Sequence, residues 1–391
     1  MPTSAAPQPW CSIIPDYLMQ RLAAAEEPHV AAAAERSLRS DAVLRARREQ
    51  QDRLIRRLPG ILPQGLRERA RDATAPPHAQ QPPAGAGADV GPATARRSLY
   101  DAEHRTSLRG RLVRTEGEPP TDDVSVTEAY DGLGATWSLL LDSYGRDSLD
   151  GAGLPLTATV HYDKDYDNAF WDGTQMVFGD GDGVYFDSFT SSIDVIGHEL
   201  THGLTQYTAG LVYLGQSGAL NESVSDVFGS LVKQRALGQD AATADWLIGE
   251  GLFTSRVNGV ALRSMKAPGT AYDDPVLGKD PQPADMDGYV DLPHDSSHDN
   301  GGVHTNSGIP NRAFYLTATA LGGPAWAAAG QIWFDTLVAG GLPRDVDFTG
   351  FAKATVAAAK ARYGATGVEV AAVREAWRTV KVPLRVTHRN R

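Results

Sequence analysis

Five consecutive residues, His198-Glu199-Leu200-Thr201-His202, restrict this chain more than any other feature of its sequence. On a helix the two histidines stand four apart, on one face and about a turn from each other. Two imidazoles so placed can hold one Zn²⁺, and Glu199 projects toward the side where an activated water would sit. Short patterns of this kind also arise by chance on surface helices. Here nineteen residues separate His202 from Glu222, enough for a helix end, a loop and a second helix bearing a third ligand. Asp226 follows Glu222 by four on the same face, placed to receive the N–H of a ligating imidazole and fix its tautomer.

The remaining composition sets limits. A chain of 391 residues exceeds one simple core, so two to three units are expected. A net charge of −11 argues against nucleic-acid binding by the chain as a whole. The single cysteine, Cys11, excludes intramolecular disulfides. No apolar run is long enough to span a bilayer. The opening residues lack a basic start and an apolar stretch, so no Sec signal peptide is read. The expectation is a cytoplasmic protein or one secreted by a non-Sec route.

Taken in order, residues 1–72 form a helical module. Asp16-Tyr17-Leu18-Met19 opens an amphipathic segment interrupted at Pro28, and an Ala- and Arg-rich helix runs from about Val30 to Arg57. Its arginines are interleaved with Glu35, Asp41, Glu49 and Asp52, which favours a solvated, salt-bridged face over a nucleic-acid stripe. Residues 73–97 collapse to Ala, Pro, Gly and Gln, the composition of an exposed, cuttable linker. From 98 to 208 a β-rich unit is expected, with a helix over Asp123–Gly145, strands over Leu156–Tyr162 and Thr174–Phe178, and a turn over Asn168–Gly173. It ends in the metal-binding helix, Ile193 to about Thr208. From 209 to 391 the chain reads as mainly helical, with Ser217 as N-cap of the helix carrying Glu222.

Four blocks in this order resemble the thermolysin family of zinc metallopeptidases. They are Asn168-Ala169-Phe170-Trp171 with Gly179-Asp180-Gly181-Asp182-Gly183; Gly197 through Tyr213 to Asp226; Ala261-Leu262-Arg263-Ser264-Met265; and Asp299-Asn300-Gly301-Gly302-Val303-His304-Thr305-Asn306-Ser307-Gly308. The short N-terminal module and its Ile14-Pro15-Asp16-Tyr17-Leu18 segment resemble the protealysin-like branch, whose precursors carry short propeptides. The resemblance implies an α+β, two-domain fold: a β-rich N-terminal domain, an α-helical C-terminal domain and the zinc helix between them, preceded by the helical propeptide.

It further implies a metalloendopeptidase acting on peptides or proteins. His198, His202 and Glu222 would hold one zinc and leave one position open for water. Glu199 would take that water's proton and pass it to the leaving nitrogen. Tyr213 and His304 would stabilise the oxyanion, with Asp299 orienting His304. Asn168 and Ala169 would align an extended substrate, and Arg263 would hold the carbonyl after the scissile bond. Phe186, Phe189, Val195, Ile248, Leu252 and Leu262 would form an apolar pocket for the residue after the cut, which predicts cleavage before Leu, Ile, Val or Phe.

Two departures follow from the same resemblance. Lys233 stands where members with a double calcium site carry a glutamate, while Asp194, Asp245 and Glu250 are retained. The double site is therefore expected to be lost, leaving at most one calcium. The propeptide is expected to act as an intramolecular inhibitor, either through Cys11 on the zinc or through Pro15, Tyr17 and their neighbours lying against the cleft. The contrasting reading is a catalytically silent, zinc-containing peptide-binding protein. Retention of Glu199, Tyr213 and His304 opposes it, since binding alone needs no general base.

Overall fold

The computed structural model describes residues 11–57 and 93–384, with side chains at 48–57 left out. The expected linker and its processing site fall outside these residues except for 93–97.

The sheet is assembled from two distant parts of the chain. Strands β2 (Arg97–Asp101), β3 (Arg111–Thr115), β4 (Leu156–Val160), β5 (Ala169–Trp171) and β6 (Met176–Phe178) join a two-residue strand, β1 (Cys11–Ser12). Their order is β1-β5-β6-β4-β2-β3. The N-terminal module thus supplies the edge strand next to β5, antiparallel to it, with Cys11 opposite Trp171 and Ser12 opposite Phe170. Asn168–Gly173, expected as a turn, is strand over Ala169–Trp171, and only Asp172 onward turns. The aromatic and apolar side chains of β5 are wholly buried, and that burial favours an extended pairing over a surface turn.

After β1 the module continues as α1 (Asp16–Ala23) and α2 (Pro28–Arg57). Pro28 opens α2, where its missing N–H costs nothing. Leu18, Met19 and Leu22 of α1 are buried in the same core as the sheet.

Three helices come next, and the second and third of them position the remaining chemistry. Helix α3 (Val124–Ser138) is capped by Asp123, whose side chain accepts from the Val126 N–H at 3.2 Å. Helix α4 (Ile193–Gln206) is buried along nearly its whole length and packs against α5 (Gly215–Ala236). Two glycines set that approach. A Cβ on Gly229 would lie 2.4 Å from the Asp194 carbonyl oxygen, and one on Gly197 would lie 3.0 Å from the Gly229 Cα. Only bare backbone lets the helices approach this closely, and their spacing sets Glu222 and Asp226 against the histidines of α4.

Ser217 is not the cap of α5. Leu214 holds that place, and the Ser217 hydroxyl donates to the carbonyls of Val212 and Leu214 from inside the first turn. Beyond α5 come α6 (Asp299–Asn306), α7 (Gly308–Leu321), α8 (Ala328–Val338), α9 (Phe348–Tyr363) and α10 (Val368–Thr379). The architecture is α+β, with a mixed sheet followed by a helical half. Among the described residues no helix is long and apolar enough to cross a membrane.

Candidate active site

His198, His202 and Glu222 meet in the interior between α4 and α5, all three essentially without solvent exposure. His198 Nε2 lies 3.1 Å from His202 Nε2, and each lies 3.4 Å from a Glu222 carboxylate oxygen. Donors on a tetrahedron with metal bonds of about 2.0–2.1 Å are spaced by about 3.4 Å, so the trio fits a small tetrahedral cation. Glu222 Oε2 and Glu199 Oε1 are buried without a hydrogen-bond partner in the protein. Unpaired buried carboxylate oxygens are costly, and a cation with its water would satisfy both.

The other imidazole nitrogens are tied down. His198 Nδ1 faces Asp226 Oδ1 at 2.8 Å, the contact expected from the i, i+4 spacing. His202 Nδ1 lies 2.9 Å from Asn221 Oδ1 and 3.1 Å from the Ser225 hydroxyl. Burial lowers both imidazoles, His198 to about 4 and His202 to about 3, which keeps them neutral and ready to ligate. Burial pushes Asp226 up, but Arg263 and His198 outweigh it and hold that carboxyl well below its usual range. Arg263 grips Asp226 with two hydrogen bonds, at 2.9 and 2.8 Å, and Asn311 donates to it at 2.7 Å. Asn221 and Asn311 escaped the sequence reading because a lone asparagine carries no spacing signal.

Glu199 Oε2 accepts the Trp171 backbone N–H at 3.0 Å. Burial and the nearby Glu222 raise its carboxyl well above the usual range. The Tyr213 hydroxyl donates to Glu222 and lies 3.2 Å from His304 Nε2. Asp299 turns back on His304. One oxygen meets Nδ1 at 2.6 Å, and the other accepts the backbone N–H groups of His304 and Thr305. Asp299, Asn300, Gly301 and Gly302 all hold positive φ, a run that two glycines make feasible. Burial lowers His304, but Glu222 and Asp299 override it and raise the imidazole to about 9.

The N-terminal module lies in this cleft. The Ile13 N–H donates to the Ala169 carbonyl at 3.2 Å, and the Ile14 N–H to Asn168 Oδ1 at 3.1 Å. Arg263 Nη1 donates to the Ile13 carbonyl at 3.2 Å, and His304 Nε2 lies 2.9 Å from the Ser12 carbonyl. Ile13 is fully buried in one continuous core with Phe186, Phe189, Val195, Ile248, Leu252 and Leu262. Pro15 is buried, while Tyr17 is only partly so and faces Tyr272. Cys11 is buried with Tyr213 and Val303.

Asp41 differs from the solvated charge expected on α2. It is wholly buried, accepts from the Tyr166 hydroxyl, and accepts from Asn168 Nδ2 at 3.1 Å, turning the Asn168 oxygen toward Ile14. Burial lifts its carboxyl from 3.8 to about 6, against the opposing pull of Tyr166. A raised folded-state value means that the contribution is fully present below the unfolded value and is lost as pH rises to about 6. Asp41→Asn should therefore gain about 2–3 kcal/mol on the wild type between about pH 4 and about pH 7, measured by chemical unfolding. A pH-independent difference would refute this.

Away from the histidines, Lys233 Nζ lies 2.8 Å from Asp245, 2.9 Å from Glu250 and 3.5 Å from Asp194. The ammonium stands among the three acidic groups.

The chain is similar to known proteins in both sequence and fold. Residues 92–206 match the thermolysin metallopeptidase catalytic domain and residues 209–382 its alpha-helical domain. An extracellular metalloprotease of Pectobacterium carotovorum subsp. carotovorum is 55% identical over 291 residues, 74% of this chain and 82% of that protein. Protease PrtS of Photorhabdus sp. (strain Az29) is 53% identical over 292 residues, 75% of this chain and 78% of that protein. The solved precursor of protealysin, a metalloproteinase from Serratia proteamaculans, superposes with a TM-score of 0.79 at 47% identity, covering 95% of this chain and 100% of that one. With both domains matched and the metal-binding trio assembled, the chain belongs to the thermolysin family and is a metalloendopeptidase.

Proposed function

We propose that this endopeptidase uses one zinc held by His198, His202 and Glu222, cuts before bulky apolar residues, and is made silent by its own N-terminal segment. Bound at that trio, zinc would supply a Lewis acid for the scissile carbonyl and lower the pKa of a water. Glu199 is the general base. Trp171 pins one carboxylate oxygen, the other is free to take a proton, and a raised pKa suits it to hand that proton to the departing nitrogen. His304, kept protonated by Glu222 and Asp299, and Tyr213 are the donors for the developing oxyanion.

The observation that carries the reading is the threading of Ser12-Ile13-Ile14. The Ser12 carbonyl stands in for a scissile carbonyl, since it sits on His304. Ile13 then occupies the position after the cut, with its carbonyl on Arg263 and its side chain in the apolar core. In this account residues 1–72 are the propeptide, 73–97 the tether where processing occurs, and 98–208 and 209–391 the two catalytic domains. The Pectobacterium relative, named an extracellular metalloprotease, supports secretion. The ammonium of Lys233 supports loss of the double calcium site, and no calcium is needed to neutralise Asp245 and Glu250.

The test compares the unprocessed chain with Ile13→Asp on an unfolded protein substrate. The wild type should stay nearly silent until it is cut, whereas the variant, unable to bury a carboxylate, should digest while still full length by intact mass. New N termini should begin with Leu, Ile, Val or Phe. Equal silence of both chains, or cuts after rather than before apolar residues, would contradict the reading. A Cys11→Ser arm that stays silent assigns inhibition to the peptide backbone rather than to the thiol.

A further inference from the structure

A second group of metal-ligating side chains lies outside the catalytic trio and shares no residue with it. His104, in the connection from β2 to β3, His161, just after β4, and Asp180, just after β6, present donor atoms all within 4.8 Å of one another. His104 Nδ1 is 3.4 Å from Asp180 Oδ2. That is too long for a good hydrogen bond and matches the edge of a tetrahedron with metal bonds of about 2.0–2.1 Å. His161 Nδ1 lies 2.8 Å and 2.9 Å from the two Asp180 oxygens, so only a small turn of the carboxylate opens the same spacing there.

The two nitrogens of His161 have separate partners. Nδ1 faces the shared centre, while Nε2 lies 2.9 Å from Asp123 Oδ2. This carboxylate–imidazole arrangement mirrors His198, where Asp226 holds the nitrogen that does not face the metal. Both histidines hold left-handed backbone, φ +57° for His104 and +53° for His161. The His104 N–H donates to the His161 carbonyl at 2.9 Å, and the two rings stand 5.5 Å apart. Two non-glycine residues therefore keep an uncommon conformation while bringing their rings to one carboxylate.

We propose that His104, His161 and Asp180 form a second, surface-accessible site for a divalent transition cation, zinc above all, with Asp123 orienting His161. Two imidazoles and one carboxylate suit zinc or its neighbours and do not suit calcium, which wants an all-oxygen cage. A bound ion would join the β2–β3 connection, the ends of β4 and β6 and, through Asp123, the start of α3. Its role is that of a staple on the β-rich half.

The purified full chain is titrated with zinc in chelator-buffered solution, and bound zinc is counted by elemental analysis after equilibrium dialysis. The wild type should bind two zinc ions per chain, and excess zinc should raise its melting temperature beyond the value reached with one. His104→Asn, chosen because asparagine tolerates positive φ, should bind one zinc and lose the extra thermal shift. Asp123→Asn keeps an N-cap and should weaken the second zinc by roughly 10–100-fold without removing the first. Excess calcium should not displace it. Equal zinc counts in the wild type and His104→Asn, or displacement of the ion by calcium, would each overturn the proposal. Because the count does not depend on turnover, it stands or falls separately from the catalytic reading.

Discussion

Replacing Glu199 by glutamine should lower kcat/KM of the processed enzyme on an apolar peptide by roughly 10²–10⁴-fold, with bound zinc and melting temperature nearly unchanged. The substitution is close to isosteric, and a glutamine carbonyl can still accept the Trp171 N–H that now meets Glu199. What is lost is the capacity to take and return a proton. Glu199 is not among the three residues proposed to hold the metal, so metal content should be indifferent to the change. A loss confined to kcat identifies a group that acts in the transition state rather than in substrate binding. Activity within tenfold of the wild type would remove Glu199 from the mechanism. Loss of the metal together with activity would make it a structural residue instead.

The second large effect is expected far from the chemistry, at Lys233. Lys233→Met leaves Asp194, Asp245 and Glu250 facing one another without a cation. Asp194 is fully buried and Lys233 nearly so, whereas the Glu250 side chain is 49% exposed. Breaking a buried pair by removing one partner costs about 3–5 kcal/mol, and exposure of Glu250 lowers that to about 3 kcal/mol. Unfolding in denaturant at neutral pH should show this loss, and Lys233→Glu should show a larger one that millimolar calcium reverses. The wild type should be insensitive to calcium throughout. A calcium-dependent wild type would mean that the lysine does not replace the ion.

Much of the site was legible because its chemistry fixes spacing. The i, i+4 pairs His198/His202 and Glu222/Asp226 demand helices, and the helices are there, α4 and α5 pressed together at Gly197 and Gly229. Distant members such as Arg263 and His304 could be assigned only through the family resemblance, since nothing local in their sequence marks them. Features set by tertiary contact escaped. Strand β5 read as a turn because Asn168, Asp172 and Gly173 flank only three extended residues, and its partner β1 lies more than 150 residues away in the chain. Asp41 read as one more charge on a basic helix, because burial at a domain contact depends on what docks there. The Asp226 clasp by Arg263 and Asn311 joins three separate elements, a tertiary arrangement without a linear signature.

A metal at His198, His202 and Glu222 is central to the proposed chemistry, and metal removal tests it most directly. The processed enzyme is stripped with a zinc chelator, assayed on a peptide with an internal leucine, and assayed again after one equivalent of zinc is restored. Cleavage before the leucine should vanish with the metal and return with that single equivalent. Cleavage that persists in metal-free protein, or that fails to return when the trio is reloaded, would contradict it.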